Sequence, residues 1–196
     1  MILKIVQAGE PVLRQRAREI RGEEIGSPEL ARIIAMMRDT MRDAPGVGLA
    51  APQVGLPLRL AVIEDPADFH RGIPEAELRA RERTPVDFHV LINPRLTVED
   101  ATLVEFHEGC LSVSEFAAIV PRARGVRVDA LDETGKPFSR SAVGWYARIL
   151  QHECDHLDGG LYLDRMHPRS FATSENQSRF WAGRSIAEVK QALGIP

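Results

Sequence analysis

The sequence lacks the features that mark secreted, membrane-spanning and nucleic-acid-binding proteins. Its 196 residues include only two cysteines, which are too few for a disulfide framework. No apolar run approaches the roughly eighteen residues that a membrane-spanning helix needs. The formal net charge of −3 lacks the basic surplus with which nucleic-acid binders displace counterions. Internal repeats and low-complexity tracts are also absent, which excludes solenoids and long linkers.

The composition that remains is typical of one globular domain. Hydrophobic residues make up 44% and charged residues 27%, close to the average for a soluble domain. The first residues, MILKIV, have no basic flank, long apolar core or small-residue cleavage site of a signal peptide. We therefore expect a single domain over residues 1–196, a cytoplasmic location and no membrane partner.

Helical patterns occur near the start, late in the middle and at the end of the chain. Ser27 is followed by a proline and then by apolar residues at helical spacing, which predicts a helix over Pro28–Asp43. A second helix is predicted over residues 142–157, where a glycine pair ends it soon afterwards. A third begins at Ser185, which opens a capping box, and ends at Gly194.

Strand-like runs dominate the middle of the chain. They are residues 58–63, 88–93, 103–106, 117–120 and 126–131. Pro94 and Pro121 are expected to end strands. The charged stretch 65–87 has little apolar content and is predicted to be a surface insertion, with residues 165–196 as a C-terminal extension. This order favours an α+β fold, with mixed or antiparallel strands around a central helix and further helices at the N- and C-terminal ends.

The strongest chemical pattern, QHECDH, lies inside the second helix. His152 and His156 are four residues apart, so both side chains lie on one helix face, roughly 5–6 Å apart at Cβ. They can bind one metal ion, with Glu153 beside them to transfer protons. Two histidines satisfied within the core are the structural alternative. The central helix is therefore predicted to be a metal-binding helix.

A third ligand is needed, because catalytic zinc-type sites use three protein ligands and one open position. Downstream, Asp164 and Glu175 could supply a carboxylate, but neither belongs to a recognisable motif. Upstream, Cys110 follows a glycine just after a strand-like run, and a thiolate with two imidazoles suits a borderline metal. Cys154 lies about 200° around the helix from His152, so we expect it to be a buried free cysteine. Cys110 is the preferred ligand.

Three segments together resemble the signature motifs of peptide deformylases. They are GVGLAAPQ from Gly46 to Gln53, EGCLS around Cys110, and QHECDHLDG from residue 151. Their order and spacing match the family, and the similarity covers most of residues 1–170. The run GWYARIL at residues 144–150 is similar to the subgroup that includes organellar members.

This resemblance implies removal of the formyl group from the N-terminal formyl-methionine of new polypeptides, with release of formate. It implies that Cys110, His152 and His156 bind the metal and that Glu153 is the catalytic acid and base. It also implies that Gln53 and the backbone N–H of Leu111 stabilise the developing oxyanion. The residues that it places along the bound peptide are Gly46, Val47 and Gly48.

Further residues are assigned by their place beside these motifs. Trp145 and Ile149 share the metal-facing stripe of the helix, so we predict that they line the pocket for the methionine side chain, with ordinary core packing as the alternative. Glu108 and Arg122 are candidates for supporting the metal ligands. One departure from the family pattern is Ala117, which stands where bacterial members often carry a peptide-contacting arginine.

The cofactor and partners follow from the same resemblance. We expect one divalent metal ion, Fe²⁺ in the cell, and Zn²⁺, Ni²⁺ or Co²⁺ in a purified sample. The expected partners are formylmethionyl nascent peptides. Between residues 165 and 196, five basic residues outnumber two acidic ones, which predicts either transient ribosome contact or a solvated helix face. Both a monomer and a homodimer are compatible with the sequence.

Two other functions fit parts of the pattern. A peptidase of the His-Glu-x-x-His type would cleave internal peptide bonds and would take its third ligand downstream of the helix. A zinc-stabilised binding module would use the metal without any reaction, so its Glu153 would be dispensable.

Overall fold

The computed structural model describes residues 1–196, and its sheet is antiparallel throughout. The six strands are β1 (Gly48–Ala50), β2 (Leu60–Asp65), β3 (Val86–Cys110), β4 (Val113–Leu131), β5 (Pro137–Val143) and β6 (Ala172–Thr173). Strands β1 to β5 lie in sequence order, and the short β6 pairs with β4. The predicted α+β class is confirmed, with antiparallel pairing in each ladder.

Five helices accompany the sheet. They are α1 (Pro28–Asp43), α2 (Glu75–Ala80), α3 (Gly144–Leu157), α4 (Ser174–Trp181) and α5 (Ile186–Leu193). Helix α1 has the predicted limits, and the Oγ of Ser27 accepts a hydrogen bond from the N–H of Leu30 at 3.2 Å. The predicted C-terminal helix corresponds to α5. A further helix, α4, lies before it and is not predicted. No helix combines the length and the apolar character that crossing a membrane requires.

The prediction that Pro94 and Pro121 end strands is wrong, because β3 and β4 run through both. At Pro94 the ladder is interrupted by a register shift, and the preceding Asn93 adopts a positive φ of 52°. Pro121 pairs with β3 on one side only, since β5 covers just residues 125–131 of β4. A bulge and an unpaired strand edge are the two places where a sheet tolerates the missing N–H of proline.

Helix α3 is central because its apolar face packs into the larger of the cores. Ala147 and Leu150 are fully buried there, and the helix contacts β1, β3, β4 and β5. On the other side of the sheet, α1 buries Met37 and Met41 completely. Burying one such side chain contributes about 1.5–3 kcal/mol. The larger core therefore holds α3 against the strands that carry the other motifs, and the smaller one fixes α1 on the opposite face.

The stretch 65–87, which is predicted to be a surface insertion, overlaps the sheet at both of its ends. Asp65 is the last residue of β2 and is fully buried, and Val86 already begins β3. Arg83 makes two hydrogen bonds to the Asp65 carboxylate, at 2.7 and 2.8 Å. Because this charge pair satisfies both groups, a polar segment can be partly buried against the body of the domain.

The C-terminal segment, residues 165–196, is joined to the sheet at several points. The Oγ of Ser170 accepts a hydrogen bond from the N–H of Ile119 at 2.8 Å. Lys190 on α5 makes two hydrogen bonds to the Glu105 carboxylate on β3, at 2.7 and 3.0 Å. Val189 is fully buried. The segment therefore packs on the domain as an ordered part of it.

Candidate metal centre and cleft

The end of β3 and one face of α3 bring three donor atoms together. The Nε2 atoms of His152 and His156 are 3.2 Å apart, and the Sγ of Cys110 lies 3.3 Å from the Nε2 of His156. All three donor atoms lie within 4.8 Å of one another. Cys110 reaches this position because the β3–β4 register shifts between Gly109 and Cys110.

These distances test whether a metal ion fits. Ligand bonds of about 2.0–2.3 Å in a tetrahedron separate neighbouring donors by about 3.3–3.6 Å. The observed 3.2 and 3.3 Å are close to that range. One thiolate and two imidazoles also form a donor set that suits divalent transition metals. The downstream alternative Asp164 instead pairs with Arg14 and accepts from the N–H of Leu161.

Glu108 sets the orientation of His152. Its Oε2 accepts a hydrogen bond from the Nδ1 of His152 at 3.1 Å, which leaves Nε2 free to act as a ligand. Arg122 makes two hydrogen bonds to the same carboxylate at 2.9 Å, and Arg148 donates a third at 2.5 Å. Burial alone would raise the pKa of Glu108, but the bonds from His152 and Arg122 hold this pKa well below its usual value.

Glu153 lies beside the donor cluster on α3 and is almost fully buried. Burial raises the pKa of its carboxyl to about 7, against the opposing positive charges of His152 and Arg122. Its Oε2 has no hydrogen-bond partner in the protein. A Cβ at Gly48 would lie 2.7 Å from the Glu153 Cδ, so the missing side chain of Gly48 makes room for this carboxyl group. A carboxyl with a pKa near neutrality suits proton transfer.

Gln53 follows β1 and contacts the donor cluster through Cys110. Its Oε1 accepts a hydrogen bond from the N–H of Ala50 at 2.8 Å, which orients the amide. Its Nε2 then points to the Sγ of Cys110 at 3.5 Å. Leu111 follows Cys110, and its side chain reaches the position that a Cβ at Gly46 would occupy, 2.9 Å from its Cδ1. Gln53 thus contacts Cys110 directly, and Leu111 is its neighbour in the chain.

One cleft of about 440 Å³ joins these groups. The predicted site residues in its wall are Gly46, Val47, Gly48, Gln53, Cys110, Leu111, Trp145, Ile149, His152 and Glu153. His156 lies behind the wall and is fully buried. Cys154 is also buried and is not one of the clustered donors, as expected. The structure therefore brings the predicted residues into a single site.

Several residues that line the cleft are not predicted from the sequence. Arg81, which follows α2, lies 4.8 Å from the Trp145 ring centroid and 5.6 Å from that of Phe106. His107 and Arg148 also line the cleft. Arg81 belongs to the stretch taken for a surface insertion, and no periodic pattern links it to α3. Only the packing of this segment against the N-terminal end of α3 places it there.

Comparison with known proteins supports the similarity seen in the motifs. The sequence profile of the family "Polypeptide deformylase" matches residues 2–172. Peptide deformylase 1A, chloroplastic, of Solanum lycopersicum is 50% identical over 172 residues, covering 88% of this chain and 62% of the relative. Peptide deformylase 3 of Streptomyces avermitilis is 47% identical over 193 residues, covering 98% and 84%.

Solved structures agree with the sequence relatives. A Met-Ala-Ser-bound class I type b peptide deformylase from Acinetobacter baumannii has a TM-score of 0.75 at 30% identity, covering 85% of this chain and 99% of that one. Peptide deformylase from Thermotoga maritima has a TM-score of 0.70 at 33% identity, covering 86% and 99%. The chain spans 62% and 64% of the length of the two plant relatives. With its metal-donor cluster, its adjacent glutamate and a match over most of its length, the chain belongs to the polypeptide deformylase family.

Proposed function

We propose that this chain removes the formyl group from the N-terminal formyl-methionine of newly made polypeptides and releases formate. The observation that carries the proposal is the cluster of Cys110, His152 and His156 donors, which borders one cleft together with the buried Glu153 carboxyl. Strand β1 ends the sheet beside that cleft. A hydrolytic centre next to a free strand edge suits an extended peptide substrate.

The chain's own residues can supply the proton transfers. Cys110, His152 and His156 would hold a divalent ion, which would act as a Lewis acid and lower the pKa of bound water towards about 7. Glu153 accepts the proton of the attacking water and returns it to the amine that leaves. Amines leave poorly unless they are protonated, so a single carboxyl that takes the proton from water and returns it to the amine serves both steps.

Negative charge develops on the formyl oxygen during the attack. The Gln53 amide is oriented by its bond to Ala50, and the backbone N–H of Leu111 directly follows Cys110 in the chain. Both can donate to that oxygen. One such donor contributes about 10²–10³-fold in rate.

The substrate peptide would lie along the edge of β1. Gly46 and Gly48 have no side chains to keep its backbone away, and Gly48 also leaves room for Glu153. Trp145 and Ile149 line the cleft on the α3 side, where an apolar methionine side chain would be removed from water.

We further propose Fe²⁺ as the metal in the cell, with Zn²⁺, Ni²⁺ or Co²⁺ replacing it in purified samples. The mixed thiolate and imidazole donors are compatible with all four ions. Metal analysis after anaerobic purification, compared with aerobic purification, tests this assignment. Iron below stoichiometry in both preparations, with zinc dominant in the anaerobic one, would contradict it.

The deciding assay is formate release from a formyl-Met-Ala-Ser peptide by the metal-loaded protein. Glu153→Gln should lower kcat by about 10²–10⁴-fold with metal content retained. Glu133→Gln, in an exposed turn, is the matched control. Absence of formate from the wild type would refute the proposal, and an undiminished rate in Glu153→Gln would favour the binding module. Internal peptide cleavage, with metal retained in Cys110→Ser, would favour the peptidase.

Transient ribosome contact through the C-terminal segment is also proposed. Of its five basic residues, Lys190 and Arg165 already pair with Glu105 and Asp155, whereas the other three are exposed. These three are Arg169, Arg179 and Arg184. Replacing them with glutamate should reduce salt-sensitive co-sedimentation with ribosomes. Unchanged co-sedimentation would contradict the proposal.

A further inference from the structure

An exposed aromatic pair stands at the outer end of the cleft. Phe116 lines the cleft together with Glu115 and Ser174. Its ring stacks on that of Phe171, with centroids 4.8 Å apart and planes within 6° of parallel. The two residues are 36% and 39% exposed, so the stack covers only part of each ring. One ring thus presents apolar surface to the cleft, and the other supports it.

The backbone holds this pair in place. Phe116 and Ala117 on β4 are paired with Thr173 and Ala172 on β6, directly after Phe171. Ser170, just before Phe171, is joined to β4 through its bond to the N–H of Ile119. The pair is therefore presented by two hydrogen-bonded strands, and little conformational entropy is lost when a ligand contacts it.

The surroundings of Phe116 define which side chain it would accept. Residues 113–118, VSEFAA, contain no cation, and their only charge is the carboxylate of Glu115. Val113 and Phe116 supply apolar surface to the cleft, whereas Glu115 would repel an acidic group. Aromatic pairs gain about 0.5–1.5 kcal/mol beyond the burial of their area. This chemistry favours apolar and aromatic side chains over acidic ones.

We propose that Phe116 is a specificity-determining residue that binds an apolar or aromatic side chain in the second or third residue of the substrate, and that Phe171 positions its ring. The inference rests on the proposed function and extends it beyond the formyl-methionine. The cleft is continuous from the metal ligands to Phe116, so one extended peptide can reach both. Successive residues of such a peptide advance by about 3.4 Å.

The test compares peptides that differ at one position. Formyl-Met-Ala-Xaa and formyl-Met-Xaa-Ala are assayed with Xaa as Ala, Leu, Phe, Asp and Lys. For the wild type, kcat/KM should be about 2–10-fold higher for Phe than for Ala at one of the two positions, mainly through KM. Asp should be the poorest substrate there.

Variants then locate the preference. Phe116→Ala should bring the Phe-to-Ala ratio close to one, Phe116→Tyr should retain it, and Phe171→Ala should reduce it in part. Phe180→Ala is the matched control, because Phe180 is 50% exposed on α4 and does not line the cleft. The ratio is measured within one protein preparation, so partial loss of folded enzyme does not change it.

Each outcome bears on one proposal. No formate from wild-type protein with formyl-Met-Ala-Ala would refute the proposed function. Formate release with equal kcat/KM for Phe and Ala at both positions would overturn this inference alone. A ratio unchanged in Phe116→Ala would also overturn it, since the preference would then arise elsewhere in the cleft.

Discussion

The inner and outer ends of the cleft are built on opposite principles. At the inner end, Glu108 is almost completely buried, and hydrogen bonds connect it to His152, Arg122 and Arg148. At the outer end, the side chains of Phe116 and Phe171 are at least about one-third exposed and meet by stacking of their rings. The inner end depends on buried charges, each of which needs its partner. The outer end depends on exposed apolar contact, which can be removed at small cost.

This difference predicts how each end responds to substitution. A buried charge left without its partner costs far more than the pair contributed, because the remaining ion stays out of water. An exposed aromatic ring that is removed leaves its partner facing solvent at small cost. Changes at the inner end should therefore affect folding, metal binding and rate together, whereas changes at the outer end should alter substrate preference.

Glu108→Ala should have the largest effect. It leaves Arg122 and Arg148 buried without their shared carboxylate and releases the Nδ1 of His152. We expect the free energy of unfolding to fall by about 3–5 kcal/mol. Metal affinity should fall about 10–100-fold. Urea unfolding and chelator competition measure the two losses.

The control for this change is Glu99→Ala, which removes an exposed carboxylate that pairs loosely with Arg127 at 3.6 Å. It should change the free energy of unfolding by less than about 0.5 kcal/mol. If Glu108→Ala lowered the unfolding free energy as little as this control does, buried charge would not be what separates the inner end of the cleft from the outer end.

Gly48→Ala should have the next largest effect, because the added methyl group would displace the Glu153 side chain. The new Cβ would lie 2.7 Å from the Glu153 Cδ, so the carboxyl group must move. Misplacing a catalytic group by about 1 Å can cost about 10²-fold in rate, and we expect kcat to fall by that factor with metal still bound. Formate release and metal content are measured on the same sample.

Gly46→Ala provides the comparison for Gly48→Ala. Its Cβ would meet the Cδ1 of Leu111 at 2.9 Å, which is the free end of a flexible side chain. Leu111 can rotate away, so the loss in kcat should be less than about 10-fold. Equal losses in the two variants would show that the peptide path, and not Glu153, is what both substitutions disturb.

The inner end could be predicted from the sequence where it depends on local spacing. His152, Glu153 and His156 follow from the helical period, which is a short-range property of the chain. Cys110 could not be derived in this way, because it reaches α3 through the strand register and its local shift. It was preferred because the ligand set was otherwise incomplete and because its motif resembles those of a known family.

The parts that sequence reasoning missed depend on packing between distant segments. Arg81 reaches Trp145 because the polar 65–87 stretch is held by the buried Asp65–Arg83 pair, and no composition rule indicates that contact. Phe171 meets Phe116 where the two-residue strand β6 pairs with β4. The prediction for Pro94 and Pro121 failed because a strand tolerates proline at a bulge or at a free edge, and both are properties of the whole sheet.

Arg81→Ala tests a charged residue of the inner end that does not pair with Glu108, so it separates the effect of the Trp145 contact from that of the buried ion pairs. Its side chain is 23% exposed, pairs with Glu77 and lies against the Trp145 ring. A cation–π contact contributes about 0.5–2 kcal/mol. Its loss would reach substrate binding only in part, through the freed Trp145 ring, so KM should rise about 2–10-fold with kcat little changed. Steady-state kinetics on formyl-Met-Ala-Ser measures the change. Arg79→Ala, which removes an exposed pair with Glu75, should leave KM unaltered.

Lys190→Met should have the smallest effect and should depend on pH. Burial alone would raise the pKa of Glu105, but the hydrogen bonds from Lys190 and His167 lower it. A carboxyl whose pKa is lower in the folded state stabilises the protein above its unfolded pKa, and the contribution is lost as pH falls through the folded pKa. Near neutral pH the variant should therefore lose up to about 1 kcal/mol of unfolding free energy, and the gap to wild type should narrow below about pH 4. Urea unfolding at both pH values measures this difference in unfolding free energy, with the exposed Lys4→Met as control. A difference that widens in acid would mean that Lys190 acts through packing on α5 and not through its charge.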